Sequence, residues 1–313
     1  MKWGLLGYGR IAAKFEQSIE ASQKDTIVAA ASRSQYLNIP KTYKAFNDYD
    51  RLLEDDEVEI VYICTTHNTH KQLTIAALNA GKHVLCEKPM STSASDVKEM
   101  TECAEKNNRF LMEAIWSRYL PGYQEALRLI RAGAIGEVKM IQANFGFRMN
   151  PEDPKERLIN KELAGGAIWD VGIYPISFAM DICQSMPTEI QALGKLNSAG
   201  VEETAILNLS FPENVLASLT CSFEHQLQND AIITGTKGRV TMKDFWKCED
   251  FSLKTEFEET AFEKPMVSSG YYHEILGCSS LIEMGEIQSP LISWQDSWEI
   301  SSVMDSILTI VRE

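Results

Sequence analysis

The junction between the first apolar run and the first helical pattern restricts the fold of this chain more than any other feature. Lys2-Trp3-Gly4-Leu5-Leu6 leads directly into Gly7-Tyr8-Gly9-Arg10-Ile11-Ala12, a GxGxxA spacing set between a strand and a helix. In such a junction the first glycine permits a tight turn, the second lets the backbone approach a pyrophosphate, and the small third residue lets helix and strand pack closely. The helix start then offers unsatisfied N–H groups and the positive end of its dipole. Gly7, Gly9, Arg10 and Ile11 are thus the first candidate contacts to a dinucleotide. The second strand ends at Ala30-Ala31-Ser32-Arg33-Ser34, without the acid that usually binds the ribose 2′-hydroxyl of NAD. The hydroxyl of Ser32 and the guanidinium of Arg33 suit a 2′-phosphate instead, so the expected cofactor is NADP, with NAD left open.

Around that junction the first 118 residues alternate short apolar runs with helical patterns. Strands are expected at 2–7, 26–32, 58–64, 83–86 and 109–114, and the run Val58-Glu59-Ile60-Val61-Tyr62-Ile63-Cys64 reads as a strand buried on both faces. Between strands, Leu73, Ala76, Ala77 and Ala80 recur at helical spacing. The alternation predicts a doubly wound parallel sheet, the Rossmann arrangement, over 1–118. After Pro121 the rhythm changes. A helix near 121–132 precedes period-two segments at 204–211 and 215–223, a hairpin turn at Gly235-Thr236-Lys237-Gly238, and helical patterns near 271–285 and 295–312. A second domain over 119–313 is therefore expected to carry a large open, mainly antiparallel sheet, giving a chain of class α/β plus α+β.

At 313 residues the chain has room for about two domains at roughly 150 residues each. The formal charge of −14 speaks against a nucleic-acid partner, which needs clustered Lys and Arg, and against anionic membrane surfaces. No run of about 18 apolar residues suggests a membrane span, and the N-terminus carries no cleavable signal pattern. The seven cysteines are odd in number and lack CxxC or zinc-type spacing, so they read as reduced thiols of a cytoplasmic protein. The sequon Asn208-Leu209-Ser210 falls inside a strand pattern and is discounted.

Two further stretches carry chemistry. The fourth of the longer strands runs into Glu87-Lys88-Pro89, which puts Lys88 beyond the C-terminal edge of the sheet, where ligands of such folds sit. Gly165-Gly166-Ala167-Ile168-Trp169-Asp170-Val171-Gly172-Ile173-Tyr174 reads as a glycine pair before a helix, with Asp170 and Tyr174 sharing a face at i, i+4. An acid, a phenol and a lysine can form a proton relay. HxxH at His67 and His70 lacks a nearby third ligand, so no metal is expected.

On these residues the chain resembles the Gfo/Idh/MocA oxidoreductases, and within them the dihydrodiol dehydrogenase branch. The resemblance rests on the turn from Gly7, Val84–Pro89, Met112–Arg118, Leu163–Tyr174 and Gly235–Gly238. It implies that Lys88 is a catalytic lysine, Asp170 the motif acid and Tyr174 the proton donor. Many members place a histidine where Tyr174 stands; the dihydrodiol branch places a tyrosine. Trp116 and Arg118 match residues beside nicotinamide and substrate, and Glu87 and Trp169, within the same motifs, join the implied cofactor contacts. The family's Thr-Pro-Asn-x-x-His stretch appears as Thr65-Thr66-His67-Asn68-Thr69-His70, so Thr65, His67 and His70 are implied contacts while Pro-Asn has become Thr66-His67.

The implied reaction moves hydride between NADP and a hydroxyl or carbonyl of a sugar, polyol or dihydrodiol. Tyr174, with a free pKa near about 10, needs the charge of Lys88 to serve as base. Three rivals are an NADP-binding regulator without turnover, an NAD-assisted glycosidase, and a biosynthetic reductase of the biliverdin type, which would need a large planar pocket. Retention of Lys88, Asp170 and Tyr174 together speaks against the regulator. The open face of the second sheet, with Leu216 among Ser218, Thr220 and Ser222, and with Phe145 and Phe147 on strand 143–147, is expected to pack against its own copy. The expected assembly is a homodimer, with pairing into a tetramer as an extension.

Overall fold

A computed structural model describes residues 1–34, 36–150 and 157–313. They divide into two compact units: Met1–Tyr119 with Val267–Trp298, and Leu120–Met266 with Glu299–Glu313.

In the first unit, strands β1 (Lys2–Leu6), β2 (Thr26–Ala31), β3 (Lys44–Phe46), β4 (Ile60–Ile63), β5 (His83–Glu87) and β6 (Leu111–Ala114) form one parallel sheet, ordered β3-β2-β1-β4-β5-β6. The order reverses between β1 and β4, and the crevice outside their carboxyl ends is where such sheets bind ligands. Helices α1 (Arg10–Ser22), α2 (Tyr49–Leu53), α3 (His70–Asn79) and α4 (Ala94–Asn107) connect the strands. Strand residues alternate between two buried faces. Val61 and Ile63 of β4 join the core formed with Leu52, Leu73, Ala77 and Val97, while Tyr62 points the other way and stacks on Phe15 of α1 at 3.8 Å. The expected parallel sheet is therefore present. It carries one strand more than the apolar runs indicate: β3 is three residues long at the sheet edge, too short to leave a period.

The segment 267–298, which the sequence groups with the second domain, falls with the first compact unit. It begins with α7 (Tyr271–Glu283), which lies along α1. Asp25, buried after α1, accepts on Oδ1 from Trp3 Nε1 at 3.0 Å and from Ser279 Oγ at 2.6 Å, so one carboxylate oxygen ties the returning helix to β1. Sequence distance hides such a return.

In the second unit, β7 (Val138–Gly146), β8 (Glu189–Leu196), β9 (Glu202–Phe211), β10 (Val215–Ser222), β11 (Ala231–Gly235), β12 (Gly238–Met242), β13 (Asp250–Thr255) and β14 (Glu259–Glu263) form an eight-stranded sheet ordered β14-β13-β12-β11-β7-β10-β9-β8. Only β7 and β10 run parallel. Helices α5 (Pro121–Arg131) and α6 (Ile173–Cys183) belong to this unit, and α8 (Trp294–Arg312) divides between the two. Alternation in β9 buries Ala205, Leu207, Leu209 and Phe211 and leaves Ile206 and Asn208 outward. The same alternation overturns one expectation: Phe145 shares its parity with Ile141 and Ala143, so it faces the buried side rather than the open one. The stretch Lys161–Cys183 is long and apolar enough to cross a membrane by length and composition, but its most apolar 18-residue window is 89% buried inside the protein, as a core segment is.

Candidate active site

In the first unit the glycine turn lies where the sequence puts it. Gly7 adopts φ +100° and its N–H donates to the Ala31 carbonyl at 2.9 Å. A Cβ there would stand 2.9 Å from the Cys64 carbonyl oxygen, so both the conformation and the space require glycine. Gly9 caps α1 with nothing within 4 Å of where a Cβ would be. Among the described residues no side chain caps this helix end, and no acid occupies its first turn. The exposed Arg10 and half-buried Ile11 begin the helix, and the fully buried Ala12 packs beneath. These features fit a dinucleotide pyrophosphate. At the end of β2, Ser32 is buried with its N–H on the Phe46 carbonyl at 3.1 Å, and Arg33 is exposed with its guanidinium 5.2 Å from the centre of the Tyr49 ring.

The loops after β4 and β5 are joined through His70. Its ring is fully buried, with Nδ1 2.8 Å from the Pro89 carbonyl and Nε2 3.4 Å from the Thr65 carbonyl. Both nitrogens thus lie against backbone oxygens, which makes His70 a brace between the half-buried Thr65 and the Glu87-Lys88-Pro89 turn. His67 is buried beside it, ring centres 5.7 Å apart. Glu87 accepts from the Tyr62 hydroxyl and, at 3.2 Å, from the Lys88 N–H. Lys88 itself is half-buried, and its peptide bond to Pro89 is cis. Trp116 lies 5.4 Å from Tyr271, and the buried Arg118 donates to the Leu291 carbonyl at 3.0 Å and pairs with Asp296 at 3.4 Å. The returning segment therefore supports both residues, which the motif spacing alone does not reveal.

The second unit holds the other residues. Gly166, at φ +138°, donates its N–H to the Leu158 carbonyl, and Gly165 to that of Asn160, closing the loop 157–166. The helix beyond differs from the expected one. Ile168–Gly172 is a π turn, and α6 begins only at Ile173. Pro175 offers a reason: it has no N–H for the Val171 carbonyl and its ring crowds that oxygen, so the regular ladder is interrupted just before it. The 3.6-residue spacing assumed for Asp170 and Tyr174 therefore does not apply, and Trp169, Asp170 and Tyr174 are all buried. Asp170 pairs with Arg157 at 3.1 Å. Tyr174 packs edge-on to Phe145 at 5.4 Å, and Phe145 stacks on Trp246 at 4.8 Å and 10°. Glu202, fully buried on β9, pairs with Arg312 at 3.2 Å. Burial lifts its carboxyl pKa above the usual range. Arg157, Trp246 and Glu202 escaped the sequence reading because each meets its partner only through the tertiary fold.

The turn and the sheet order define a dinucleotide-binding unit of Rossmann type. Residues 1–115 match the oxidoreductase family with an NAD-binding Rossmann fold, and residues 123–241 match the GFO/IDH/MocA C-terminal domain. The chain belongs to the GFO/IDH/MocA oxidoreductase family. The trans-1,2-dihydrobenzene-1,2-diol dehydrogenase of Mus musculus is 32% identical over 97% of this chain and 95% of its own length. That of Homo sapiens is 33% identical over 98% and 96%. Among solved structures, an aldose-aldose oxidoreductase from Caulobacter crescentus, complexed with glycerol, has a TM-score of 0.88 at 25% identity and covers 100% of this chain and 97% of its own. A 3-ketoreductase from Actinomadura kijaniata, in complex with NADP and TDP-benzene, shares the fold with a TM-score of 0.89 at 24% identity, over 99% and 98%.

Proposed function

We propose that this chain is an NADP-dependent dehydrogenase that moves hydride between the cofactor and a hydroxyl or carbonyl of a sugar, polyol or dihydrodiol. The observation that carries the substrate class is the setting of Tyr174, a phenol packed against the stacked Phe145–Trp246 pair. Such a wall accepts an apolar ring or the C–H face of a sugar. The relatives named for dihydrodiols and the structural neighbour named for aldoses support the same class.

In this reading Tyr174 takes the substrate hydroxyl proton on oxidation and returns it on reduction. Lys88 is the catalytic lysine of this reading, with a charge of the sign that favours a phenolate. Asp170, held by Arg157, accepts from a substrate hydroxyl and fixes its direction. When bound, NADP accepts or supplies the hydride. Ser32 and Arg33 supply the preference for the 2′-phosphate. Gly7, Gly9, Arg10, Ile11, Thr65, His67, Glu87, Trp116, Arg118 and Trp169 remain the proposed cofactor surroundings, with His70 bracing them. We further infer a homodimer in a reducing cytoplasm, where all seven cysteines stay free thiols.

Lys88→Ala and Tyr174→Phe should each lower kcat by about 10²–10⁴ with cofactor affinity nearly intact, and the double variant should lose little more than the worse single one. A panel of aldoses, polyols and dihydrodiols with each cofactor, followed by reduced-nicotinamide absorbance, identifies the substrate. Cofactor binding without turnover of any panel member defeats the proposal.

A further inference from the structure

The glycine turn carries one side chain between its two glycines, that of Tyr8. Its half-buried phenol donates to Glu16 Oε2 at 3.2 Å. Glu16 lies on α1 six residues beyond Arg10, about 9 Å along the helix axis. Its other oxygen accepts from the hydroxyl of the half-buried Tyr43. Tyr43 leads into β3, and Phe46 at the end of β3 accepts the Ser32 N–H at 3.1 Å. One carboxylate thus joins the turn to the strand that pins the end of β2. Burial, with the Glu16 carboxylate added, pushes the Tyr8 phenol up to about 12 and lifts that of Tyr43 as well, so both remain donors at neutral pH.

A Gly-Tyr-Gly turn has wide conformational freedom, and ordering it around a ligand costs entropy. Gly7 is tied through its N–H to Ala31, but nothing lies within 4 Å of where a Cβ on Gly9 would be. A tether on Tyr8 therefore orders the turn before a ligand arrives, which raises affinity without a new ligand contact. A negative charge on the helix whose N-terminus receives an anion is otherwise adverse, so this acid needs a role other than its charge. We propose that Glu16 is a positioning residue for the dinucleotide: by holding Tyr8 and Tyr43 on its two oxygens, it fixes the glycine turn against the β2–β3 side of the site in the form that receives the cofactor.

The proposal rests on dinucleotide binding by the glycine turn, not on the choice between cofactors or on Lys88, and its test needs no turnover. Glu16→Leu and Glu16→Gln both remove the charge, but glutamine keeps an oxygen to accept from one phenol and an amide N–H to donate to the other. If the charge alone mattered, both variants would bind the anionic cofactor more tightly than the parent. Positioning predicts that Glu16→Leu raises the Kd of NADP(H) and NAD(H) alike by about tenfold or more, while Glu16→Gln stays within about threefold of the parent, read by titration calorimetry. Tyr8→Phe should show part of that loss in the parent and add almost nothing to Glu16→Leu, as two ends of one contact do. Should Glu16→Leu fail to fold, Tyr8→Phe decides alone, and parent-like affinity then overturns the proposal. Unchanged or tighter binding by Glu16→Leu, a Glu16→Gln as weak as Glu16→Leu, or a loss confined to NADP(H) also overturns it. A parent protein that binds neither cofactor defeats the dinucleotide reading itself, a result distinct from any of these.

Discussion

Arg33 stands beyond the end of β2 with its guanidinium over the Tyr49 ring, and its neighbour Ser32 is pinned through its N–H to Phe46. A cation held over an aromatic face at an exposed site gains about 0.5–1 kcal/mol, enough to bias a long side chain toward one pose. Arg33→Ala should therefore weaken NADP(H) binding by about 1.5–3 kcal/mol, the range for a hydrogen bond to a charged group, and NAD(H) binding far less. Titration calorimetry with both cofactors decides, and equal losses exclude a 2′-phosphate contact. Gly9 gives a second test at this scale. Its φ of −108° is open to any residue and a Cβ there meets nothing, so Gly9→Ala should change thermal stability by no more than about 0.5 kcal/mol. It should nonetheless weaken cofactor binding, because that open space is where the pyrophosphate approaches. A variant that binds cofactor as the parent does removes Gly9 from the site. Residues of this kind are legible in the sequence because their role is local: a turn, a strand end, a helix start. Arg157 and Glu202 were not legible, since a charge in a loop or strand says nothing of the carboxylate or guanidinium that will meet it across the fold.

At the scale of elements, the π turn Ile168–Gly172 and its glycine lead act as one part. A Cβ on Gly166 would lie 2.0 Å from Glu202 Oε1, at a φ that side chains avoid. Gly166→Ala should cost about 2–4 kcal/mol from strain and overpacking together, read as a lowered denaturation midpoint, and parent-like stability would mean that Glu202 can move aside. Strand β6 carries a second dependence. Glu113 is buried there and accepts from the Met90 N–H at 2.7 Å; burial lifts its pKa to about 7, against the lowering pull of Ser297, Met90 and Arg118. Its folded pKa is thus raised above the unfolded value, so the folded state holds this proton more tightly. The contribution is complete below the unfolded pKa of about 4.5 and is lost as pH rises through about 7, a change of about 3 kcal/mol. His83 works the opposite way in the same window: burial lowers its pKa to about 4, so its share is complete above about 6.5 and lost as pH falls. The two must be separated by difference. Glu113→Gln should remove the loss between pH about 4.5 and 7 from denaturant-derived stabilities, and an unchanged pH slope would show that Glu113 does not titrate there. The helical run after Gly166 was legible from its composition. Its π turn was not, because a single proline breaks the period without marking what replaces it.

At the scale of the whole molecule, the eight-stranded sheet presents one face that nothing in its own unit explains. Outward positions on β7, β9 and β10 are Met140, Gln142, Ile206, Asn208, Leu216 and Ser218, and none is charged. Leu216 stands opposite Met140, and Ile206 opposite Leu193 of β8, with exposures of 55%, 39%, 48% and 75%. In a chain of net charge −14, a neutral centre in an open sheet is the place where a second copy can approach without like charges meeting. A two-fold axis through that centre would set each apolar pair against its own copy, an isologous contact. A stable one buries about 1,200–2,000 Å² in total, which a sheet of this width can supply. Of the residues that the sequence places on this face, Leu216 is exposed and Phe147 half-buried, whereas the ring of Phe145 turns inward to Tyr174 and Trp246. Leu193, Ile206, Leu216 and Met140 are therefore the apolar side chains that a second copy would cover. Light scattering at micromolar concentration should give twice the 35.2 kDa of one chain, or four times if dimers pair again. Ile206→Glu with Leu216→Glu should return the mass to 35.2 kDa while far-ultraviolet circular dichroism stays unchanged, since both side chains point away from the core. A parent protein that stays at the single-chain mass on concentration, or a double variant that keeps the dimer mass, rules out this face as the interface.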